Sequence, residues 1–355
     1  MGFYNKDGLP LINEEHKVRI TLSHKAKIIM AEDMNVFKVA KETTFINTVF
    51  RNYRKKAKSS ISVYLEEKEL EFDHLFSETS LDKNSKRIAI NSLLEKEMKE
   101  LKSILSGYKA PKETGKIYHI DNENCSYLLD DSNENKYYRS PGPYMCSVIE
   151  EYCSLPFIKR ERIFRKEVYE TVEDACKYSK LLKVKADYYG KEQVFYVYPY
   201  KIVPDPFHTQ SYLVCYSRKA EEDDSTKIIA SFSMARLNIS RKTSRSFYLN
   251  ADEINALKKS LSKDSPAYLV GKPEKIEVRL TKKGKQSYQA RLYSRPERIT
   301  SKDTSSSDDI YKFNCTQQQA FNYFFSFGPE AEIISPQKLR DRFHNTYKNS
   351  LVRYE

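Results

Sequence analysis

Tryptophan is absent from this chain, and glycine supplies only nine of its 355 residues. So few glycines argue against the backbone loops that cradle nucleotide phosphates, and neither Gly-x-x-x-x-Gly-Lys-Ser/Thr nor Gly-x-Gly-x-x-Gly occurs. His-Glu-x-x-His and Gly-x-Ser-x-Gly are missing too. The six histidines (16, 24, 74, 119, 208 and 344) include no pair at metal-ligand spacing, and His208 reads as a solvated residue of a polar turn. The six cysteines (125, 146, 153, 176, 215 and 315) form no Cys-x-x-Cys pair, so free buried thiols are expected rather than disulfides. No nucleophile, base or metal constellation can be assembled, so neither catalysis nor a metal nor a cofactor is expected. No stretch approaches the roughly 18 apolar residues of a membrane span. The N-terminus has no apolar signal core, and Gly2 lacks the downstream Ser or Thr of a myristoylation signal. The expectation is a cytoplasmic protein that binds rather than catalyses.

What is present is charge and aromatic content. Hydrophobic residues make up 39% and aromatics 13%, which excludes wholesale disorder, and the length suits two or three domains. The net charge is +12, from 61 basic and 49 acidic side chains. Residues 1–58 hold 12 Lys/Arg against 6 Asp/Glu, and 59–135 reverse this with 10 against 16. Residues 136–250 then hold 20 against 14, and 251–355 hold 19 against 13. One acidic segment therefore separates basic ones, and a basic surface attracts phosphates and anionic proteins alike.

Residues 17–22 (KVRITL) alternate strictly, with Val18, Ile20 and Leu22 on one face and Lys17, Arg19 and Thr21 on the other. Ser23 can cap a helix carrying Ala26, Ile29, Met30, Met34 and Phe37 at helical spacing. A second helix from Thr43 or Thr44 places Ile46, Val49, Phe50 and Tyr53 on one face and closes on Arg51, Arg54, Lys55 and Lys56. Over residues 16–57 this order resembles a ribbon-helix-helix module. The resemblance implies a dimer whose two strands pair and point Lys17, Arg19 and Thr21 at base edges in the major groove. The turn Lys38-Val39-Ala40-Lys41-Glu42 departs from the pattern, since it lacks Gly or Asn. The residues alone also allow an edge strand on a larger core, though the ribbon-helix-helix reading is preferred.

Residues 59–82 are mixed and acidic, with Glu66, Glu67, Glu69, Glu71 and Asp73 clustered outside any calcium-loop order. A helix follows through Ile90, Leu93, Leu94, Met98, Leu101, Ile104 and Leu105, stopped by Gly107. Residues 121–135 read as a polar loop, Ser140-Pro141-Gly142-Pro143 as a breaker, and 148–155 as a helix. The run Lys159, Arg160, Arg162, Arg165 and Lys166 reads either as an exposed connector or as a grip on a phosphate backbone. Residues 58–170 are thus a helical linker region behind a flexible N-terminus at 1–15.

The stretch from Tyr198 to Leu237 carries the strongest signal. Pro199-Tyr200, then Ser211-Tyr212-Leu213, then Phe232-Ser233-Met234-Ala235-Arg236-Leu237 resemble the WYL domain family. Ser211, Ser233 and Ala235 depart from its Trp, first Arg and Asp. The resemblance covers residues 171–250: a helix at 172–182, strands at 183–189, 193–200 and 211–216, a turn at Gly190-Lys191, and a strand at 228–237 interrupted by Arg236. It implies a five-stranded Sm-like or SH3-like barrel that binds nucleic acid or another anionic ligand. Tyr200, Lys201, Tyr212, Arg218, Arg236 and Arg241 are the residues named for that surface, because rings beside guanidinium groups stack on bases and pair with phosphates. Any single tyrosine among 27 is more simply a packing residue.

Residues 251–355 read as a helix at 252–260, strands at 274–280 and 289–293, and a Ser/Asp-rich loop at 302–309. An aromatic helix at 321–327, a strand at 331–336 and a basic helix at 337–347 follow. Phe327-Gly328, Ile333 and Pro336 resemble the dimerising extension that follows many WYL domains, with Arg295 as a basic contact. The fold class expected is thus α+β multidomain: ribbon-helix-helix start, WYL barrel, α+β extension. That combination is similar to the WYL accessory proteins of type VI-D CRISPR systems. It implies a homodimer that binds single-stranded RNA and stimulates an RNA-guided ribonuclease. The alternatives are a dimeric, ligand-sensing, DNA-binding transcriptional regulator and a protein–protein scaffold.

Overall fold

A computed structural model describes residues 3, 11–12, 15–57, 61–77, 79–106, 113–130, 138, 140–188, 191–205, 209–263, 265–269, 273–292, 294–299 and 309–354. His208, Gly107, the turn at Gly190, residues 131–135 and most of the Ser/Asp-rich loop lie outside these. The chain divides into two compact units, Met1–Lys166 and Glu167–Glu355.

The first unit contains β1 (Lys17–Ile20), α1 (His24–Phe37), α2 (Glu42–Tyr53), α3 (Ile61–Ser77) and α4 (Lys83–Ser106). After these come β2 (Lys116–His119), α5 (Asn122–Leu129), α6 (Pro141–Ser154) and α7 (Phe157–Phe164). The Ser23 side chain caps α1 by accepting from the Ala26 amide, and its own N–H and hydroxyl donate to Glu150 of α6. Phe45, Ile46, Val49 and Phe50 of α2 are wholly buried, and Phe50 meets Tyr144 of α6 edge to face at 5.4 Å. The expected breaker at Ser140-Pro141 instead starts α6, where Ser140 is the cap residue and proline occupies a first-turn position that needs no amide donor.

The strand-helix-helix order at 16–57 is present, but its ribbon is made within one chain. β2 pairs antiparallel with β1, Lys17 opposite His119 and Ile20 opposite Lys116. The other edge of β1 is covered, because a Cβ at Gly142 would lie 2.3 Å from the Arg19 carbonyl oxygen. The strand that the ribbon-helix-helix resemblance assigned to a second copy thus has both edges occupied. The four-residue KIYH strand is too short to show alternation in sequence, so its role as partner was hidden.

The basic run at 159–166 is no exposed connector either. It largely forms α7, and Arg160 is buried against Asp33 of α1. The acidic stretch read as mixed is helix α3, which packs on α4 as a hairpin.

The second unit opens with α8 (Lys166–Lys177), which begins at the boundary, then β3 (Lys180–Tyr188), β4 (Lys191–Pro204), β5 (Ser211–Lys219), β6 (Ile228–Ser233), β7 (Asn238–Ser246) and α9 (Ala251–Lys263). The five strands form one antiparallel sheet in the order β6-β5-β4-β3-β7. It is not the expected closed barrel, since β6 and β7 are not paired with each other. Yet these two edge strands are consecutive, joined only through Met234–Leu237. So short a link cannot span a flat sheet at about 4.8 Å per strand spacing, so the sheet must curl. Met234 and Leu237 are buried with Leu182, Val197 and Leu213 inside the curl, beneath Val172 and Ala175 of α8. Tyr198, Val214 and Tyr216 face the other way and pack with Leu257 of α9. β5 is buried on both faces, which explains its unbroken apolar run.

Pro199-Tyr200 sits in the middle of β4 rather than at a strand end. Pro199 pairs with Cys215 and Lys201 with Val214, so Tyr200 is the extra residue of a β-bulge. A proline cannot donate to a sheet ladder and is tolerated in a central strand where a bulge interrupts pairing.

The unit closes with β8 (Glu274–Leu280), α10 (Lys282–Ala290), β9 (Ile310–Cys315), α11 (Gln317–Phe325), β10 (Ala331–Ser335) and α12 (Gln337–Leu351). Its sheet order is β10-β8-β9, antiparallel throughout. Phe313, Phe324, Leu339 and Val278 are fully buried at its centre. The strand expected at 289–293 is instead the end of helix α10 and the residues after it; β9 takes the sheet position.

Candidate nucleic-acid interface

The outer face of the five-stranded sheet presents a row of cations around one ring. Register sets Arg241 of β7 beside Lys183 of β3, Lys183 beside Tyr196 of β4, and Tyr196 beside Arg218 of β5. Opposed residues on neighbouring strands share a face, and the contacts agree. Lys183 Nζ lies 6.0 Å and Arg218 Cζ 4.6 Å from the Tyr196 ring centroid. Arg241 is exposed and has no carboxylate partner among the described residues.

Arg218 is held in place by its neighbours. Its Nε donates to Asp224 Oδ1 at 2.7 Å and to Tyr198 Oη at 3.2 Å, while Nη1 donates to the Lys219 and Glu222 carbonyls. Asp224 also accepts from Tyr198 Oη at 2.6 Å and from Arg245 Nη2 at 2.6 Å. The Tyr198 hydroxyl, joined by the two arginines, holds the Asp224 carboxyl below the usual carboxylate range. Burial pushes the Tyr198 hydroxyl up. This fixed set anchors one side of Tyr196, and Arg218 itself is largely consumed by it.

Arg236 does not interrupt a strand. It is exposed in the turn between β6 and β7, and buried Met234, Ala235 and Leu237 on either side fix the turn to the core. The Met234 amide donates to the Ser211 carbonyl at 2.9 Å. A cation on a well-anchored turn loses little side-chain-independent freedom when it meets an anion.

Lys201 is exposed on β4 just past the bulge. Tyr200 is half-buried against the outer-face cluster. Tyr212 is buried, its hydroxyl accepting from Gln210 Nε2 at 2.5 Å, so it is a packing residue.

A second cationic surface lies on the three-stranded part of the unit. The segment 297–299 runs along β9, with the Ile299 amide donating to the Lys312 carbonyl at 2.7 Å and the Asn314 amide to the Glu297 carbonyl at 3.2 Å. It displays Arg298 4.2 Å from the Tyr311 ring, while Arg295 lies 5.3 Å from the Tyr288 ring. Both arginines are exposed and without a carboxylate partner among the described residues. Sequence reasoning named only Arg295 here. Lys183, Tyr196, Arg298 and Tyr311 went unnoticed. The alternation of Lys183 and Lys185 in β3 was the available signal for the first pair, and the position of β9 for the second.

The ribbon residues lie in the first unit. Lys17 and Arg19 are exposed, with Lys17 paired to Glu15, and Thr21 is half-buried beyond the strand end. Beneath the ribbon, a cavity of about 540 Å³ has Ile20, Leu22 and Met30 among its lining. Its rim charges pair with neighbouring residues: Lys27 with Glu113 at 3.0 Å and Lys116 with Glu42 at 2.7 Å. The bond from Lys116 holds the Glu42 carboxyl below its ordinary value.

No family model matches the chain, and no curated protein matches it. Among solved structures, the chain is similar to one described as the crystal structure of a CRISPR Cas-related protein, with a TM-score of 0.69 and 22% identity. The match covers 99% of this chain and 97% of that one, so the fold is shared over essentially the whole length. Proteasome accessory factor B/C of Arthrobacter aurescens aligns with 49% of this chain and 25% of its own, at 16% identity and a TM-score of 0.22, too low to support a structural argument. No helix among the described residues is long and apolar enough to cross a membrane.

Proposed function

We propose that this protein is a non-enzymatic, nucleic-acid-binding accessory of a CRISPR system, and that its ligand is single-stranded RNA. The observation that carries the reading is the set of exposed cations of the second unit without a carboxylate partner among the described residues: Arg295 beside the Tyr288 ring, Arg298 beside the Tyr311 ring, Arg241 opposite the Lys183 that lies by Tyr196, and Arg236 on its turn. Positive side chains interleaved with aromatic faces suit unpaired bases, whose π-faces are available only when they are not stacked in a duplex. The fold shared with a CRISPR Cas-related protein and the WYL-like sequence pattern support the setting. Stimulation of a type VI-D RNA-guided ribonuclease is the role that follows. The reading assigns no catalytic step to the chain, and the protein is placed in the cytoplasm, where such a nuclease works.

The test is fluorescence anisotropy with labelled single-stranded RNA, single-stranded DNA and duplex DNA at several salt concentrations. RNA binding that weakens by about 1 kcal/mol in Arg236→Ala and not in Arg19→Ala is the expected outcome. Preference for duplex DNA with the opposite ranking would instead return the chain to the transcriptional regulators and to its ribbon face.

A further inference from the structure

The cavity beneath the ribbon is too large to be a flaw of packing. Voids in a protein interior are mostly no larger than a water molecule, whereas this one holds about 540 Å³. Small-molecule pockets span roughly 300–1,000 Å³ and are mostly apolar with a few placed polar groups. Here Ile20 and Leu22, each 1% exposed, line it with Met30, which is 4% exposed. Met34 follows Met30 one turn on along the same face of α1. Two unbranched thioether chains reshape easily around an apolar guest.

The polar groups of the lining are arranged around one carboxylate. Register puts Lys116 opposite Ile20 and Tyr118 opposite Val18, so both share the inner face of the ribbon, where a lysine is out of place. Lys116 Nζ at 2.7 Å and Tyr118 Oη at 3.0 Å donate to the same oxygen, Oε2 of Glu42, in the first turn of α2. The other oxygen, Oε1, has no hydrogen-bond partner among the described residues. Glu42 is therefore fixed in place with an acceptor to spare beside an apolar space. Lys27, the other lysine of the lining, already has Glu113. Two lysines and two carboxylates cancel, so a charged guest would have to break one of these pairs and a neutral guest would not.

We propose that this cavity binds a neutral, largely apolar small molecule that donates an N–H to Glu42 Oε1. Both ribbon strands, α1 and the start of α2 wall the site, so the guest braces the ribbon against its helices. The inference does not rest on the RNA reading, because none of the cations assigned to RNA lies in the first unit.

The test uses N-phenyl-1-naphthylamine, a neutral, apolar amine with a single N–H whose emission rises when it leaves water. Titrated into the full chain, it should saturate at one molecule per chain. Met34→Trp and Thr114→Trp fill the cavity from α1 and from the segment before β2. Each should raise the dissociation constant at least about tenfold, with circular dichroism to confirm folding. Thr114 is exposed, so its replacement keeps the comparison valid even where Met34→Trp fails to fold. Glu42→Gln keeps an oxygen for Lys116 and Tyr118 but replaces the spare acceptor by an amide donor. It should raise the dissociation constant about fivefold and leave the N-methylated probe, which has no N–H, unaffected. Absence of saturable binding, or binding indifferent to both tryptophans, would overturn the proposal. An equal loss for both probes in Glu42→Gln would overturn the N–H contact.

Discussion

The two units hold similar numbers of Lys and Arg, 29 and 32, and use them differently. In the first, Arg160 and Arg54 are turned inward. Arg160 Nε and Nη2 donate to the two oxygens of Asp33 at 2.8 and 2.9 Å, Tyr152 donates to the same carboxylate at 2.8 Å, and both ion-pair partners are buried. Arg54 donates to Asn124 and stacks 3.9 Å from the Tyr127 ring centroid. Arg51 pairs with Asp121 at 3.3 Å. In the second unit Arg236, Arg241, Arg295 and Arg298 stay in solvent with no carboxylate within reach among the described residues. An excess of Lys and Arg in a sequence therefore says little about where anions bind. What matters is which cations the fold leaves unmatched.

The largest effect should come from cutting an inward arginine. Arg160→Ala leaves Asp33 charged and buried, and should cost about 3–5 kcal/mol of stability by chemical denaturation. A neutral result would erase the contrast between the units. Arg218→Ala sits between the two cases, since it removes hydrogen bonds to Asp224 and Tyr198. It should destabilise by about 2 kcal/mol and weaken RNA binding through loss of the Tyr196 support. Arg241→Ala, like Arg236→Ala, should leave the unfolding free energy within about 0.5 kcal/mol of wild type while lowering RNA affinity about fivefold. If it shifted stability instead, the second unit's cations would be structural after all.

The smallest effect is a pH dependence. The Asp224 carboxyl is depressed in the folded state, so its contribution is present above the ordinary carboxylate value and fades as pH falls through the lowered one. Melting temperatures measured from pH 7 down to about pH 3 should fall less steeply in Asp224→Asn than in wild type. Equal slopes would mean that the Arg218, Tyr198 and Arg245 contacts are not maintained in solution.

Much of the fold was legible where one face of an element is buried. Val18 and Ile20 in β1, Ile46, Val49 and Phe50 in α2, and Ile276, Val278 and Leu280 in β8 all announce their period. Elements whose periodicity is weak were missed. β7 reads NISRKTSRS and has only Ile239 and Thr243 half-covered, so its strand character comes from pairing with β3 rather than from pattern. α3 was hidden because charged residues dominate its solvent face. The candidate interface was half legible. Arg236 and Arg241 could be picked out as cations near a WYL-like pattern. The demotion of Arg218 and Tyr212 could not, because it depends on Asp224 and Gln210 arriving from neighbouring turns.

The link through Met234–Leu237 has one more consequence. It ties the two outermost strands of the curled sheet together like the clasp of a hoop. A chain nicked between Arg236 and Leu237 would keep every hydrogen bond of the sheet yet let β6 and β7 swing apart. Their outer edges, which are not paired with each other but are held close by the clasp, would then open to neighbours. Such a nicked protein should scatter light and form assemblies at concentrations where the intact chain stays clear, so a turn chosen to display an arginine would also guard against aggregation.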